Sequence, residues 1–409
     1  MREWTTLKDL CVDKGIQTGP FGSQLHQSDY SLDGTPVIMP VNLVDGGVSE
    51  EKIARVSDEH VERLARHKVR KGDLVYARRG DVGRASLIGL HEEGWLCGTG
   101  CLRATPDPNK VDSRYLFYLM SQPDVIGWFV NHAKGTTMLN LNTEILSRVP
   151  LLYEHSLEQQ KRIAAILSAY DKLIENSRRQ IALLEEAAQR LYKEWFVDLR
   201  FPGYEEMSIN PETGLPREWR KGVIGEIADY ISRGVTPKYN EESSWRVLGQ
   251  TCVRGNLVLL EKSRRLDPIK SPDKVLRRGD LLINSTGVGS LGRTAQVWFD
   301  PDRLTADSHI TIVRDSTGIY SNYIAQWAFG NERYIESLQT GSTGQTELSK
   351  DRVKSIPIII PSVEKVEQFN RASTAITEAI IARQEGNALL IEARDRLLPK
   401  LMSGEIEVV

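Results

Sequence analysis

One feature limits what this chain can fold into more than any other: it repeats itself at about half its 409-residue length. Arg2-Glu3-Trp4 returns as Arg217-Glu218-Trp219, and Val69-Arg70-Lys71-Gly72-Asp73-Leu74-Val75 returns as Leu276-Arg277-Arg278-Gly279-Asp280-Leu281-Leu282. Gly83-Arg84, Gly135-Thr136-Thr137, Arg148-Val149-Pro150 and Arg190-Leu191 return as Gly292-Arg293, Gly341-Ser342-Thr343, Ser355-Ile356-Pro357 and Arg396-Leu397. The order never changes, and the offset stays between 206 and 215 residues. Chance matches do not keep both order and spacing. Two copies at so long a period are not a solenoid, which needs more and shorter repeats. One unit is used twice.

Each copy has two parts. The first holds short apolar runs, such as Asp73-Leu74-Val75-Tyr76-Ala77 and Leu281-Leu282-Ile283-Asn284, separated by turn-forming clusters such as Asp45-Gly46-Gly47. This pattern predicts a mostly β or α+β globule. The second part is nearly free of Gly and Pro and carries a heptad stripe. In the first copy the stripe runs Ile163, Leu167, Tyr170, Ile174, Ser177, Ile181, Leu184, Ala188, Leu191, Trp195. In the second it runs Phe369, Ser373, Ile376, Ile380, Arg383, Asn387, Leu390, Arg394, Leu397, Leu401. A helix of ~40 residues spans about 60 Å. The sequence therefore predicts an α+β protein: two similar mixed α/β globules separated by two long antiparallel helices forming a coiled-coil spacer with pseudo-two-fold symmetry. The expected order is a first globule over 1–155, a helix over 156–200, a second globule over 201–361 that begins with a linker at 201–216, and a helix with tail over 362–409. A polar residue in such a seam fixes register, and Asn387 is expected to do so against Ser177 or a neighbour.

Composition is ordinary for a globular protein, 40% hydrophobic and 26% charged. No apolar run approaches the ~20 residues needed to cross a bilayer, and Met1–Leu10 lacks the apolar core of a secretion signal. A cytoplasmic protein without a membrane partner is expected. The net charge of −2 argues at first sight against an acidic partner such as nucleic acid. Locally the picture changes. Residues 63–84 carry eight Lys and Arg against Asp73 and Asp81, and residues 254–278 carry eight against Glu261, Asp267 and Asp273. A charge run is often only a solvated face, but two runs at near-equivalent places suggest phosphate-facing strips.

Several short stretches strengthen a family likeness. Gly19-Pro20-Phe21-Gly22-Ser23 after Ile16 and Gly234-Val235-Thr236-Pro237 after Ile231 look like openings of target-recognition domains. Glu158-Gln159 ahead of Ile163 and Leu167 is similar to a conserved helix start, and Arg396-Leu397-Leu398-Pro399-Lys400-Leu401 opens a similar C-terminal ending. Over essentially its full length the chain resembles the specificity (S) subunits of type I restriction–modification systems. That resemblance implies that each globule reads one half of a bipartite double-stranded DNA target, with the helices setting the unread gap. It implies docking of two methyltransferase subunits that carry S-adenosylmethionine, and of restriction/translocase subunits that use ATP and Mg. The chain itself would bind no cofactor.

A methyltransferase in its own right would need a Pro-Pro-aromatic base pocket, and no Pro-Pro pair occurs; Asn210-Pro211-Glu212 only begins like one. Gly287-Val288-Gly289-Ser290-Leu291-Gly292 matches a dinucleotide fingerprint, but the alternating residues that follow predict a strand, so a turn between strands is expected. The seven histidines are dispersed without ligand spacing, and neither a catalytic nor a metal site is predicted. A coiled-coil scaffold whose globules bind proteins is the remaining alternative.

For base reading, Arg78, Arg79, Arg84 and Arg293 are candidates for guanine, and Asn140 and Gln345 for adenine. Lys134, Thr136, Thr137, Ser342 and Thr343, in the repeated Gly-Thr/Ser segment, could grip phosphates or bases. Arg277 and Arg278 belong to the second basic strip. The plainer alternative is that the Gly-Arg pairs close turns and the Gly-Thr segments cap helices.

Overall fold

The computed structural model describes residues 2–44, 46–133, 139–341 and 346–408. They form two compact units, Met1–Asn176 with Asn387–Val409, and Ser177–Gly386. These divide the chain differently from the four successive segments, because each unit takes a stretch of both long helices. The first long helix is Leu157–Tyr192, prolonged by a π turn over Lys193–Val197, and the second is Val363–Ser403.

Strand order repeats between the units. In the first, Cys11–Thr18, Cys101–Pro106, Leu74–Ala77 and Ala85–Leu87 lie side by side, all antiparallel. In the second, Tyr230–Arg233, Ile310–Arg314, Leu281–Asn284 and Thr294–Gln296 do the same. A second sheet pairs Thr35–Ile38 parallel to Leu96–Cys97 and antiparallel to Ala54–Val56, and Trp245–Leu248 stands likewise between Leu304–Ala306 and Arg264–Leu266. Helices such as Ser113–Met120 and Ser321–Gly330 complete an α+β fold in each unit. Every residue of Leu74–Ala77 and of Leu281–Asn284 is buried, which is why these strands read as continuous apolar runs rather than alternating ones.

The repeated Arg-Xaa-Gly-Asp stretch is the turn into that central strand. Asp73 Oδ2 accepts the Arg70 N–H at 2.8 Å, and Asp280 Oδ2 accepts that of Arg277 at 2.8 Å. Gly72 (φ +90°) and Gly279 (φ +93°) sit left-handed, where side-chain-bearing residues are strained. The Gly287–Gly292 stretch is a turn between Leu281–Asn284 and Thr294–Gln296, as the alternation of its flank predicts.

Every seam position of both long helices is buried or half-buried. Within the first unit, Ile163, Ala164 and Leu167 share a core with Leu401 and Met402, while Asp171 Oδ1 accepts from Arg394 at 2.7 Å, so the two helical stretches run antiparallel. Within the second, Phe196 lies 4.7 Å from Tyr323 and 4.9 Å from Phe369 between ring centroids, and Gln180 accepts from Arg383 at 2.7 Å. Ser177 gives its hydroxyl to the Arg383 carbonyl at 3.5 Å, and Asn387 Oδ1 has no partner among the described residues. The longer arginine reaches a neighbouring amide that a short Asn cannot.

Each central strand also anchors a buried ion pair. Arg314 grips both oxygens of Asp280 at 2.7 Å with side-chain exposures of only 5% and 1%. In the first unit Arg103 stands 3.7 Å from Asp73 and shares itself with Gln17 at 3.2 Å. Breaking a buried pair strands the surviving charge. Asp280→Ala is expected to cost about 3–5 kcal/mol in urea unfolding, and Asp73→Ala less, since Arg103 meets Asp73 by one 3.7 Å contact where Arg314 makes two 2.7 Å bonds to Asp280. Equal losses would contradict this account.

Candidate nucleic-acid interface

At one end of each four-stranded sheet two strands finish and their middle neighbour begins, and the same backbone bonds tie the emerging loops. Gly19 N donates to Cys101 O at 2.9 Å, and Gly234 N to Ile310 O at 3.0 Å. Arg78 N donates to Gly100 O at 2.8 Å, and Ser285 N to His309 O at 2.9 Å. Leu141 N reaches Arg78 O and Leu348 N reaches Ser285 O, both at 2.8 Å. Gly98 N and Asp307 N donate at 2.9 Å to Ile38 O and Leu248 O. Two chemically independent surfaces thus hang on one frame.

The side chains on that frame do not match. Arg78, Arg79, Thr18, Pro40, Gly100 and Asn140 in the first unit stand where Ser285, Thr286, Arg233, Gln250, His309 and Glu347 stand in the second, as their equivalent backbone bonds and bridges show.

In the first unit the frame gathers three predicted residues. Arg79 bridges Asn140 through the backbone, and Arg78 Nε donates to Asn140 Oδ1 at 3.3 Å. Arg79 is exposed, and its guanidinium has no partner among the described residues. Arg84 is instead fastened to Asp81 (3.2 Å) and the Leu43 carbonyl (3.4 Å), closing the turn. Exposed Phe21 adds an apolar group in the loop that begins at Gly19.

In the second unit Arg233 is spoken for. It contacts Glu347 at 2.6 Å, Leu348 O at 2.7 Å and Ser308 O at 3.3 Å, while burial pulls its pKa down. Beside it Gln250, Thr286 and His309 are joined by hydrogen bonds, and Val288 projects at 92% exposure. Arg293 is half-buried in the same turn, without a side-chain partner among the described residues. Arg277 and Arg278 are exposed but precede Leu281–Asn284, whose four residues at ~3.3 Å each put them on the far side of the strand from Thr286. They do not join the strand-end group. Lys134, Thr136, Thr137, Ser342, Thr343 and Gln345 lie outside the described residues. Of the other cations in the basic runs, Arg63 is held by Asp29 at 3.6 Å and Arg264 over the Tyr239 ring at 3.5 Å, whereas exposed Lys71 and Arg254 have no ion pair among the described residues. Arg233, Gln250 and His309 carry no local sequence signal, since each gains its place from strands distant in the chain.

The family described as "Type I restriction modification DNA specificity domain" matches residues 5–186 and again 216–383. The chain belongs to that family. Among curated members, the Type I restriction enzyme MjaIX specificity subunit of Methanocaldococcus jannaschii is 27% identical over 83% of this chain and 78% of its own length. The HindI specificity subunit of Haemophilus influenzae is 20% identical over 92% of this chain and 96% of its own. The crystal structure of a type I restriction–modification S subunit from M. genitalium shares the fold, with a TM-score of 0.57 over 98% of this chain and 96% of that one at 16% identity. The twofold family match falls on the same two copies that the sequence repeat and the strand orders define.

His67 supports the first specificity domain's strand end. It is 4% exposed, with Nδ1 3.1 Å from the Thr18 carbonyl and Nε2 accepting from Arg66 Nε at 2.9 Å. Burial first, then the neighbouring Arg66 and Arg103 charges, push its pKa down to about 4. The unfolded chain takes up this proton near pH 6.5 and the folded one does not until about pH 4. Stability contributed by the neutral ring is therefore complete above pH 7 and lost as pH falls through that window, up to about 3 kcal/mol. His67→Gln is expected to remove that part of the pH slope, measured by denaturant titration from pH 7.5 to 4. Arg79→Ala, with no partner to lose, is expected to change stability by no more than about 0.5 kcal/mol.

Proposed function

We propose that this family member is the sequence-reading subunit of a type I restriction–modification complex, with each domain's strand end facing one half of a bipartite double-stranded DNA target. One observation carries the reading: the frame is repeated bond for bond, while six side-chain positions on it differ in charge, size and hydrogen-bonding capacity. Packing alone does not ask for a constant frame with exchanged side chains at its rim, but two different half-sites do. Phosphate contact positions a protein on DNA and base-edge contact specifies the sequence. Methyltransferase subunits with S-adenosylmethionine, and translocase–nuclease subunits with ATP and Mg, would supply the chemistry and much of the grip. This chain would position them without catalysing a step. No helix among the described residues is long and apolar enough to cross a membrane, which suits a protein working on DNA in the cytoplasm.

Mapping methylated adenines in DNA exposed to the chain with its methyltransferase subunits tests the reading. Two short half-sites at a fixed separation are expected; a continuous motif, or no modification, would sink it. In the same assay Arg79→Ala is expected to relax one half-site only, at ~1–3 kcal/mol for the position it reads.

A further inference from the structure

The second strand end contains a chain of hydrogen bonds. Gln250 Nε2 donates to the Thr286 carbonyl at 2.7 Å and to the Thr286 hydroxyl at 2.5 Å. A carbonyl oxygen only accepts, so the first bond fixes which end of the Gln250 amide is nitrogen. The Thr286 hydroxyl lies 2.9 Å from Nδ1 of His309, a contact in which either atom can be the donor, and it can give its proton to that nitrogen while accepting from Gln250. A neutral ring that accepts at Nδ1 carries its proton on Nε2.

Two groups are left over among the described residues. Gln250 Oε1 is an acceptor without a partner, and in the tautomer that accepts from Thr286 the His309 Nε2–H is a donor on an exposed residue. The nearby Arg233 cannot compete, because Glu347 and two carbonyls hold its guanidinium. An acceptor and a donor linked through one hydroxyl match in type the major-groove edge of adenine, which offers the N6 amino donor and the N7 acceptor. Guanine offers two acceptors there, cytosine a donor, and thymine an acceptor with a methyl group. The first strand end presents the opposite chemistry, since Arg79 has five donors and no acceptor and so matches guanine.

We propose that Gln250 and His309, tied together through Thr286, are specificity-determining residues that select an adenine in the half-site of the second domain, while Arg79 selects a guanine in the other. The proposal rests on the DNA-reading function above and assigns chemistry to each half. Thr286 is a positioning residue: it meets no base and orients the two groups that do.

The test uses the whole complex with its methyltransferase subunits and its mapped target. Adenines of the two half-sites are replaced one at a time by 7-deaza-adenine, which lacks the N7 acceptor. One adenine, confined to one half-site, is expected to lose roughly five- to 150-fold in affinity. That penalty should disappear in a His309→Ala complex. Gln250→Ala should let other bases stand at the same position, with the other half-site unchanged. Insensitivity at every adenine would overturn the assignment with no variant needed, and so would a penalty that survives His309→Ala. Absence of any bipartite target for the native complex is a separate outcome, which would remove the DNA-reading function itself.

Discussion

The structure depends on a small set of backbone hydrogen bonds at the end of each four-stranded sheet. Buried peptide groups must be paired, and here the pairing is done by strand-end amides donating to carbonyls of neighbouring strands and loops. Because the frame uses main-chain atoms, it places few demands on the side chains that project from it. Arg79 can become Thr286, or Gly100 become His309, without changing a frame bond. What does stay fixed between the copies is the machinery under the frame. The left-handed Gly72 and Gly279, and the Asp73 and Asp280 carboxylates that close the turns, are the same in both.

The long helices solve a different problem with the same economy. Their seam is interrupted by arginines that an apolar interface would reject, and each finds a polar partner inside its own unit, Asp171 for Arg394 and Gln180 for Arg383. A desolvated guanidinium is tolerable only when such partners satisfy it. Aromatic packing then carries the second unit, where Phe196 and Phe369 meet Tyr192, Trp195 and Tyr323. Polar seam positions thus define neighbours, and apolar ones supply the burial.

What could be read from the sequence divides along a physical line. The heptad stripe, the buried runs Leu74–Ala77 and Leu281–Asn284 and the Gly-Asp turns are periodic or local, so residue order alone reveals them. The strand-end chemistry is neither. Gln250 meets Thr286 across 36 residues, and Arg233 meets Glu347 across 114. Nothing near either member announces its partner. The predicted arginines show the same limit: Arg84 has a carboxylate three residues away that holds it in a turn, whereas Arg79, five residues earlier, is left unpaired. Residue type could not separate them, but the local geometry did. Asn387 shows the converse, a seam polar group whose Oδ1 finds no partner among the described residues.

Net charge can now be weighed more sharply. A value of −2 would be a poor prospect for a protein that held DNA by charge alone, since that mode needs a surplus of unpaired cations along the phosphates. At the strand ends Arg84 is committed to Asp81 and Arg233 to Glu347, while Arg79 has no ion pair among the described residues. Local neutralisation removes sequence-independent attraction while leaving base-edge donors and acceptors in place. Such a surface binds wrong sequences weakly, because a mismatch has little phosphate attraction to fall back on. For a subunit whose partners can supply the embrace, a low net charge is the condition under which a few hydrogen bonds decide where the complex stays.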